Sequence, residues 1–166
     1  EQELKEQNNL LESVINGIPD ILAIQYPDHS IERYNQAGYQ ILNISPDEIR
    51  HKKCFQLIGR DMECEQCATR EALRTKGLAQ LEKYVPELGI YLDCRSMPIL
   101  DEQGQVTKIV EQLRDITDRK RMEQRLEEMS IYDSLTGLYN RNFFEEEMKR
   151  LSDGRYVPMG IIVCDL

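Results

Sequence analysis

The sequence of 166 residues lacks several features by which function is often recognised. It has no apolar run long enough to cross a membrane as a helix, and no signal peptide is visible at its N-terminus. A Ser/His/Asp arrangement, a phosphate-binding glycine loop and an HExxH motif are all missing, so hydrolase chemistry is not indicated. The two histidines, His29 and His51, fall in predicted turns or helix starts, and we expect both to be solvated.

Positive charge is also scarce. The chain has 21 Lys and Arg against 30 Asp and Glu, which gives a net charge of −9. Because a polyanion would be repelled by this charge, we expect no nucleic-acid partner. The hydrophobic content of 40% is enough for one core, and the length predicts one compact domain with extensions, or one domain and a piece of another.

Cysteine is present, but without the regular spacing of a disulfide framework. The five cysteines fit a reducing cytoplasm better than a secreted scaffold, so we predict a cytoplasmic location. The sequence begins with Glu1 rather than Met and stops within an apolar segment. We therefore expect it to be a piece of a longer protein, whose other segments could include a membrane anchor.

Four of the cysteines form a candidate site. Cys64 and Cys67 are three residues apart in a predicted helix over 65–76, where both would lie on one face near the helix N-terminus. Cys54 precedes them, and Cys94 lies in a predicted strand whose alternation directs it inward. The four thiols could hold zinc or an iron–sulfur cluster. The alternatives are small buried apolar side chains and a redox-sensitive thiol pair without metal.

The order of the predicted elements indicates the fold class. An N-terminal helix has an incomplete apolar stripe, suited either to its own domain or to a second copy of the chain. Short helices follow the second strand, one of them beginning at Ser45-Pro46. The predicted strands cover residues 20–26, 30–34, 78–85, 90–100 and 106–116. This order predicts an α+β fold, in which a five-stranded antiparallel sheet with helices over one face encloses a small ligand cavity.

A polar helix is predicted after the last of these strands. Its apolar side chains, Met122, Leu126 and Met129, have the spacing of a coiled-coil seam, and charged residues fill most of the other positions. Such a helix is too polar for a core and is typical of a link between two domains. We expect a homodimer formed through the N-terminal helix and this linker helix.

The tripeptide Asp115-Ile116-Thr117, followed by a charged helix, resembles the exit of a PAS sensor domain. The resemblance implies an N-terminal helix over 1–17, a PAS domain over 18–117 and a signalling linker helix over 118–131. Asp115 and Thr117 would pass the signal from the domain to the helix. The small-molecule ligand of the PAS cavity is left open.

The next segment resembles the opening of GGDEF domains, the diguanylate cyclase family. The matching residues are Asp133, Leu135-Thr136-Gly137-Leu138, Asn140-Arg141 and Phe144. The resemblance implies that residues 132–166 are the N-terminal, α/β part of such a domain, with a helix over 141–151 and a buried strand over 159–164. Asp133 and Arg141 would pair at the domain entrance, in a structural or signalling role.

This second resemblance implies a PAS-regulated diguanylate cyclase, which joins two GTP molecules into cyclic di-GMP. Asp165 and the main-chain carbonyl of Leu166 would bind Mg²⁺ in the intact domain. The Gly-Gly-(Asp/Glu)-Glu-Phe loop, the second metal carboxylate and the guanine-binding residues are absent from the sequence. We therefore expect the chain by itself to be inactive.

A second hypothesis keeps the PAS domain but removes the catalysis. The chain would then be a metal, redox or small-ligand sensor, whose degenerate GGDEF output binds nucleotide without turning it over.

Overall fold

The computed structural model describes residues 2–152, 160 and 162. The chain forms two compact units, Glu1–Thr117 and Asp118–Leu166. Among the residues described, no helix is both long and apolar enough to span a membrane.

The first unit contains four helices and five strands among its described residues. The helices are α1 (Gln2–Gly17), α2 (Gln36–Leu42), α3 (Cys54–Leu57) and α4 (Ala68–Thr75). The strands are β1 (Ile21–Gln25), β2 (Ile31–Tyr34), β3 (Ala79–Val85), β4 (Ile90–Leu100) and β5 (Val106–Asp115). Each strand lies within the range predicted for it, which confirms the element order expected from the sequence.

The five strands form one antiparallel sheet in the order β2-β1-β5-β4-β3. The first and last strands are therefore neighbours, with Ala23 opposite Glu111. Gly89 and Gly104 lie in the two hairpin turns before β4 and β5, and both have a positive φ that other residues rarely adopt. The predicted five-stranded antiparallel sheet is confirmed.

The core lies between the sheet and the helices α2 to α4. Alternate residues of β4 point into it, and Leu92, Cys94 and Ser96 are all buried. Ala68 and Ala72 of α4 are buried as well, and Ala68 packs with Leu92 and Cys94. Small residues on this helix let its backbone lie close to the sheet.

One helix prediction in the first unit was wrong, and another was wrong only at its start. Residues 46–51 form turns rather than a helix, and His51 at their end has φ 58, a left-handed conformation that stops helical growth. The helix predicted over 65–76 begins at Ala68, because Cys67 is extended with φ −134 and serves as its N-cap. At residues 46–51, the favourable helix start at Pro46 was not sufficient, because nucleation of a helix is costly and a single turn gains little.

The second unit contains α5 (Thr117–Ile131), which begins at the last residue of the first unit, and α6 (Arg141–Ser152). The two coincide with the helices predicted over 118–131 and 141–151. Neither helix has a buried residue. A tight turn joins them, in which Asp133 Oδ1 accepts hydrogen bonds from the N–H groups of Leu135 and Thr136. Of the buried strand predicted over 159–164, only residues 160 and 162 are described; neither lies in a strand, and Ile162 is 90% exposed.

Candidate functional site

A cavity of about 60 Å³ lies inside the first unit, and all four candidate cysteines line it. Its other polar lining residues are Tyr34, Lys83 and Glu111. Apolar side chains complete the walls, among them Phe55, Ile58, Val85, Leu92 and Leu113.

Three parts of the chain bring the four cysteines to this cavity. Cys54 is the first residue of α3, Cys64 lies in the loop before α4, Cys67 is the N-cap of α4, and Cys94 lies in β4. All four are free thiols. Cys94 is 1% exposed, as its strand alternation predicted. Cys64 and Cys67 do not share a helix face, because both precede the first helical turn.

Burial keeps three of these thiols protonated at neutral pH. It raises the pKa of Cys94 to about 12, and it also raises the pKa of Cys54 and of Cys67. At Cys67 the N–H of Arg70 donates to Sγ at 3.4 Å and opposes the rise, but the effect of burial is larger. The lowered pKa expected from a helix N-terminus is therefore not found at Cys67.

The cysteines share a cavity without forming a ready metal site. Within the described residues, no three His, Cys, Asp or Glu side chains are grouped so that they could hold a metal ion. A metal would therefore have to draw the thiols closer together than they are.

Cys64 has a different environment from the other three cysteines. Arg60 donates from Nη1 to Cys64 Sγ at 3.1 Å, and its guanidinium is held in place by two hydrogen bonds to Glu87, of 2.6 and 2.7 Å. Lys83 also interacts with Cys64 and donates to the carbonyl of Gln66 at 3.1 Å. Burial lowers the pKa of Lys83, but nearby Cys64, Cys94 and Glu111 raise it more, so its ammonium group stays charged.

A buried polar network lies beside the cavity. Glu111 accepts hydrogen bonds from Thr69 at 3.2 Å, Ser96 at 3.3 Å and Gln25 at 3.3 Å. Gln25, Thr69 and Ser96 are all at most 1% exposed, and the Oε1 atom of Gln25 has no partner. Burial raises the pKa of Glu111, while Lys83 and these three donors lower it by less.

The sequence reasoning missed this network. The available signal was the strand alternation, because Gln25 lies two residues after Ala23 and Glu111 two residues after Ile109. In each case a polar residue occupies an inward-facing position between apolar ones. Such positions are expected to have partners, since an unpaired buried polar group is costly.

His29 was also predicted wrongly, as a solvated residue. It is 5% exposed, with φ 69, and its main-chain carbonyl accepts a hydrogen bond from Cys54 N–H at 2.9 Å. Burial lowers its pKa against the opposing charge of Glu63, whose carboxylate lies 3.6 Å from Nε2. The left-handed turn directs the side chain inward, which spacing alone does not reveal. His51 is exposed, as predicted.

The exit of the first unit is bonded to β4. Thr117 Oγ1 accepts a hydrogen bond from Tyr91 N–H, and Ile116 N–H donates to the Tyr91 carbonyl, both at 2.9 Å. Asp115 Oδ1 accepts from Thr117 N–H at 2.8 Å. Asp115 and Thr117 therefore fix the backbone at the point where the sheet gives way to α5.

A second cavity, of about 230 Å³, lies next to this exit. Asp20 and Asp115 line it, together with Leu92 and Leu113. The same two leucines also line the cysteine cavity. A displacement of either leucine would therefore change the shape of both cavities.

In the second unit, Asp133 and Arg141 do not form the expected pair. Asp133 accepts from Leu135 and Thr136 in the turn, and Arg141 donates to Glu145 at 2.7 Å. The reason is local: each finds a partner within four residues, at lower entropic cost than a contact across the turn. Asp165 and Leu166, the predicted Mg²⁺ ligands, lie outside the described residues.

Comparisons with known proteins agree with this architecture. A family model described as the PAS fold matches residues 15–121, and no curated protein matches the chain. The structure of an RNA-binding light-oxygen-voltage receptor aligns with a TM-score of 0.57 and 15% sequence identity. The alignment covers 74% of this chain but only 37% of the receptor chain.

Two further solved structures are similar over most of their own length. The PAS domain of nitrogen regulation protein NR(II) from Vibrio parahaemolyticus has a TM-score of 0.53 and 16% identity, over 64% of this chain and 98% of that one. A sensory box sensor histidine kinase from Vibrio cholerae has a TM-score of 0.50 and 16% identity, over 70% of this chain and 96% of the kinase chain. Identities this low show the fold alone, but the family model covers more than half of the chain. The chain therefore belongs to the PAS fold family, and residues 15–121 are its PAS sensor domain.

Proposed function

We propose that this chain is the sensory module of a diguanylate cyclase and includes the start of the cyclase domain. The observation on which the proposal rests is the motif Asp133, Leu135-Thr136-Gly137-Leu138 and Asn140-Arg141, which follows a PAS domain and a charged helix. The complete protein would make cyclic di-GMP from two GTP molecules.

The geometry of the motif supports this proposal. Asp133 Oδ1 accepts from Thr136 N–H at 2.9 Å and Oγ1 at 2.7 Å, and Gly137 has φ +69. Asn140 Oδ1 accepts from Phe143 N–H at 2.9 Å, and its Nδ2 donates to the Ser130 carbonyl at 2.8 Å. Asp133, Thr136 and Asn140 thus each have a defined role in the junction between α5 and α6, and such a junction suits the entrance of an output domain.

A route from sensing to output runs through the shared wall of the two cavities. Leu92 and Leu113 contact the cysteine cavity on one side and the cavity beside Asp115 on the other. A ligand or a chemical change at the cysteines would displace this wall and alter the hydrogen bonds of Asp115 and Thr117. The start of α5 would then shift, since Thr117 is its first residue.

The active unit would be a homodimer, because two GTP-binding domains must meet. In α1, Leu4, Leu11 and Val14 are 65%, 59% and 56% exposed. In α5, Met122, Leu126 and Met129 are 66%, 68% and 69% exposed. Exposed apolar stripes of this kind favour pairing with the same helices of a second chain.

The direct test measures cyclic di-GMP formation by the complete protein with GTP and Mg²⁺. We expect turnover, and we expect Asp165→Asn to abolish it, because Asp165 and the Leu166 carbonyl would hold the Mg²⁺ that neutralises phosphate charge. The chain of 166 residues alone should give no product, since it has no Gly-Gly-(Asp/Glu)-Glu-Phe loop. A complete protein that binds GTP without turnover would disprove the cyclase and favour a degenerate output.

A second candidate function is metal or redox sensing at the cysteine cavity, with a non-catalytic output. The observation that favours it is the convergence of Cys54, Cys64, Cys67 and Cys94 on one cavity. Four thiolates are the usual ligands of structural zinc and of iron–sulfur clusters. Binding would require deprotonation of the buried thiols and a small contraction of the loop before α4.

Metal analysis of protein purified without oxygen tests this candidate. We expect zinc or iron in the wild-type protein, and its loss in Cys64→Ser and in Cys67→Ser. The fifth cysteine, Cys164, is the matched control, and Cys164→Ser should keep the metal. Correctly folded protein that contains neither metal would refute the metal site and leave thiol chemistry as the function of the cavity.

A further inference from the structure

The four cavity cysteines differ in what surrounds their sulfur atoms. Cys54, Cys67 and Cys94 are held as neutral thiols by burial. Cys64 is the one whose sulfur accepts a hydrogen bond from a guanidinium, at 3.1 Å from Arg60 Nη1, and it also interacts with the ammonium of Lys83. Neighbouring cations stabilise a thiolate, which is the nucleophilic form of cysteine.

We propose that Cys64 is the reactive cysteine of the cavity, that small hydroperoxides oxidise it, and that Cys67 then closes a disulfide with it. This inference rests on the proposed role of the cavity as the sensing site. It names the chemical class of the stimulus and the residue on which it acts.

Arg60 is the cation that donates a hydrogen bond to the Cys64 sulfur. Glu87 offsets part of the charge of Arg60, since both of its carboxylate oxygens bind that guanidinium. Glu111, the carboxylate that lines the cavity, has its own donors in Gln25, Thr69 and Ser96. Lys83 also lines the cavity, where it is half-buried and keeps its charge.

The size of the cavity limits the oxidant. A volume of about 60 Å³ admits several water molecules, at roughly 10–15 Å³ for each. Hydrogen peroxide and short alkyl hydroperoxides fit this space. A bulky disulfide such as oxidised glutathione does not, so exchange with it should be slow.

The reaction balances without any other redox group. The Cys64 thiolate attacks the distal oxygen of the hydroperoxide, the O–O bond breaks, and the leaving alkoxide or hydroxide takes a proton from water. Sulfur loses two electrons to the peroxide and becomes a sulfenic acid. The Cys67 thiol then attacks this sulfur, and the disulfide forms with release of water.

Cys67 is the best placed of the three partners to resolve the sulfenic acid. It lies in the same non-helical segment as Cys64, and a disulfide requires the two Cα atoms to approach within about 4.4–6.8 Å. A loop can make this adjustment. Cys94 is more constrained, because β4 is hydrogen-bonded to β3 on one side and β5 on the other. The main chain of Cys54 is held as well, by its N–H bond to the His29 carbonyl.

The experiment measures the alkylation rate of each cysteine by mass spectrometry, on reduced protein treated with a chelator. We expect iodoacetamide to modify Cys64 at least about tenfold faster than Cys54, Cys67 or Cys94. Arg60→Gln should slow the reaction at Cys64, while Arg60→Lys should keep part of the rate. Arg74→Gln is the matched control, because Arg74 pairs with Glu71 on the surface, and it should change nothing. A faster rate at any other cavity cysteine would overturn the proposal.

Hydrogen peroxide provides the second measurement. We expect a Cys64–Cys67 disulfide in the wild-type chain, none in Cys64→Ser, and a sulfenic acid at Cys64 that dimedone traps in Cys67→Ser. If Arg60→Gln unfolds the domain, Lys83→Gln takes its place with the same expectation. Unchanged alkylation in both variants, or metal that blocks Cys64 after chelation, would refute the inference.

These readouts do not depend on cyclase activity. A protein that makes no cyclic di-GMP but oxidises at Cys64 would contradict the proposed output and support this inference. An active cyclase with an unreactive Cys64 would do the reverse.

Discussion

Each unit of the chain has an asparagine that caps one helix and bonds to the end of the preceding one, but the two asparagines differ greatly in burial. In the first unit, Asn35 caps α2 through its Oδ1, which accepts from Gly38 N–H at 2.9 Å, while its Nδ2 donates to the carbonyls of Ile15 and Ile18 at the end of α1. In the second unit, Asn140 precedes α6 and caps it, while its Nδ2 donates to the end of α5.

Their surroundings separate them. Asn35 is 1% exposed, and it also bonds Leu22 N–H at 3.0 Å and the Asp20 carbonyl at 2.9 Å. Asn140 is half-buried, and the helices that it joins have no buried residue. One asparagine is thus part of a core, and the other holds two exposed helices at a turn. The comparison shows that a hydrogen-bond pattern alone does not fix how much a residue stabilises, because burial sets the cost of losing it.

The largest effect is expected from Asn35→Ala. The substitution leaves two N–H groups and three carbonyls without this partner in a site closed to water, so we expect a loss of about 3–5 kcal/mol in the free energy of unfolding. Urea denaturation followed by circular dichroism measures it. Asn9→Ala, on the exposed face of α1, is the control and should change stability by less than about 0.5 kcal/mol. Equal losses in the two variants would mean that the Asn35 network contributes nothing specific.

Asn140→Ala should have a smaller effect, since water can replace the lost partners. We expect about 1 kcal/mol, the usual value for an exposed helix N-cap. The measurement is hydrogen exchange, in which the Phe143 N–H should exchange roughly fivefold faster, since a tenfold change corresponds to about 1.4 kcal/mol. Protection of the first unit should stay the same. A loss as large as that of Asn35→Ala would contradict the contrast between the two asparagines.

Burial also explains which features of the fold could be predicted from the sequence. Apolar runs, alternation and turn residues identified all five strands. Alternation in β4 also predicted the inward position of Cys94, because a sheet with one buried face imposes a period of two on its residues. The convergence of Cys54 on the same cavity as Cys94 could not be derived from spacing, since it depends on how α3 packs. Even so, the four cysteines that were predicted to form one site do line a single cavity.

Three predictions failed where a side chain or backbone found a local partner. Cys67 caps α4 instead of lying within it. His29 has a left-handed backbone conformation that places its side chain inside the domain. Asp133 accepts hydrogen bonds within its own turn and does not pair with Arg141. In each case a contact within a few residues, or one unusual φ, decides the outcome. Periodicity averages over ten or more residues and does not register such events.

The smallest effect on folding, and the sharpest test of the second unit, is expected from the α5 stripe. Leu126 is 68% exposed, so Leu126→Lys should leave the PAS fold unchanged by circular dichroism. It should weaken the proposed homodimer in analytical ultracentrifugation, because a charge would replace an apolar residue of the seam. Leu126→Met is the matched control and should preserve association. A dimer equally strong with lysine would exclude α5 from the interface.

The phase of α5 tests whether this seam transmits the signal. One residue inserted after Arg121 turns the following helix by roughly 100°, whereas seven residues restore its facing to within about 20°. The stripe covers about two heptads, so its pairing should be marginal, and two packings could differ by only a few kcal/mol. Cyclic di-GMP formation by the complete protein should therefore change far more with one inserted residue than with seven. If both insertions gave the same activity, helix rotation would not transmit the signal, and α5 would only tether the two units.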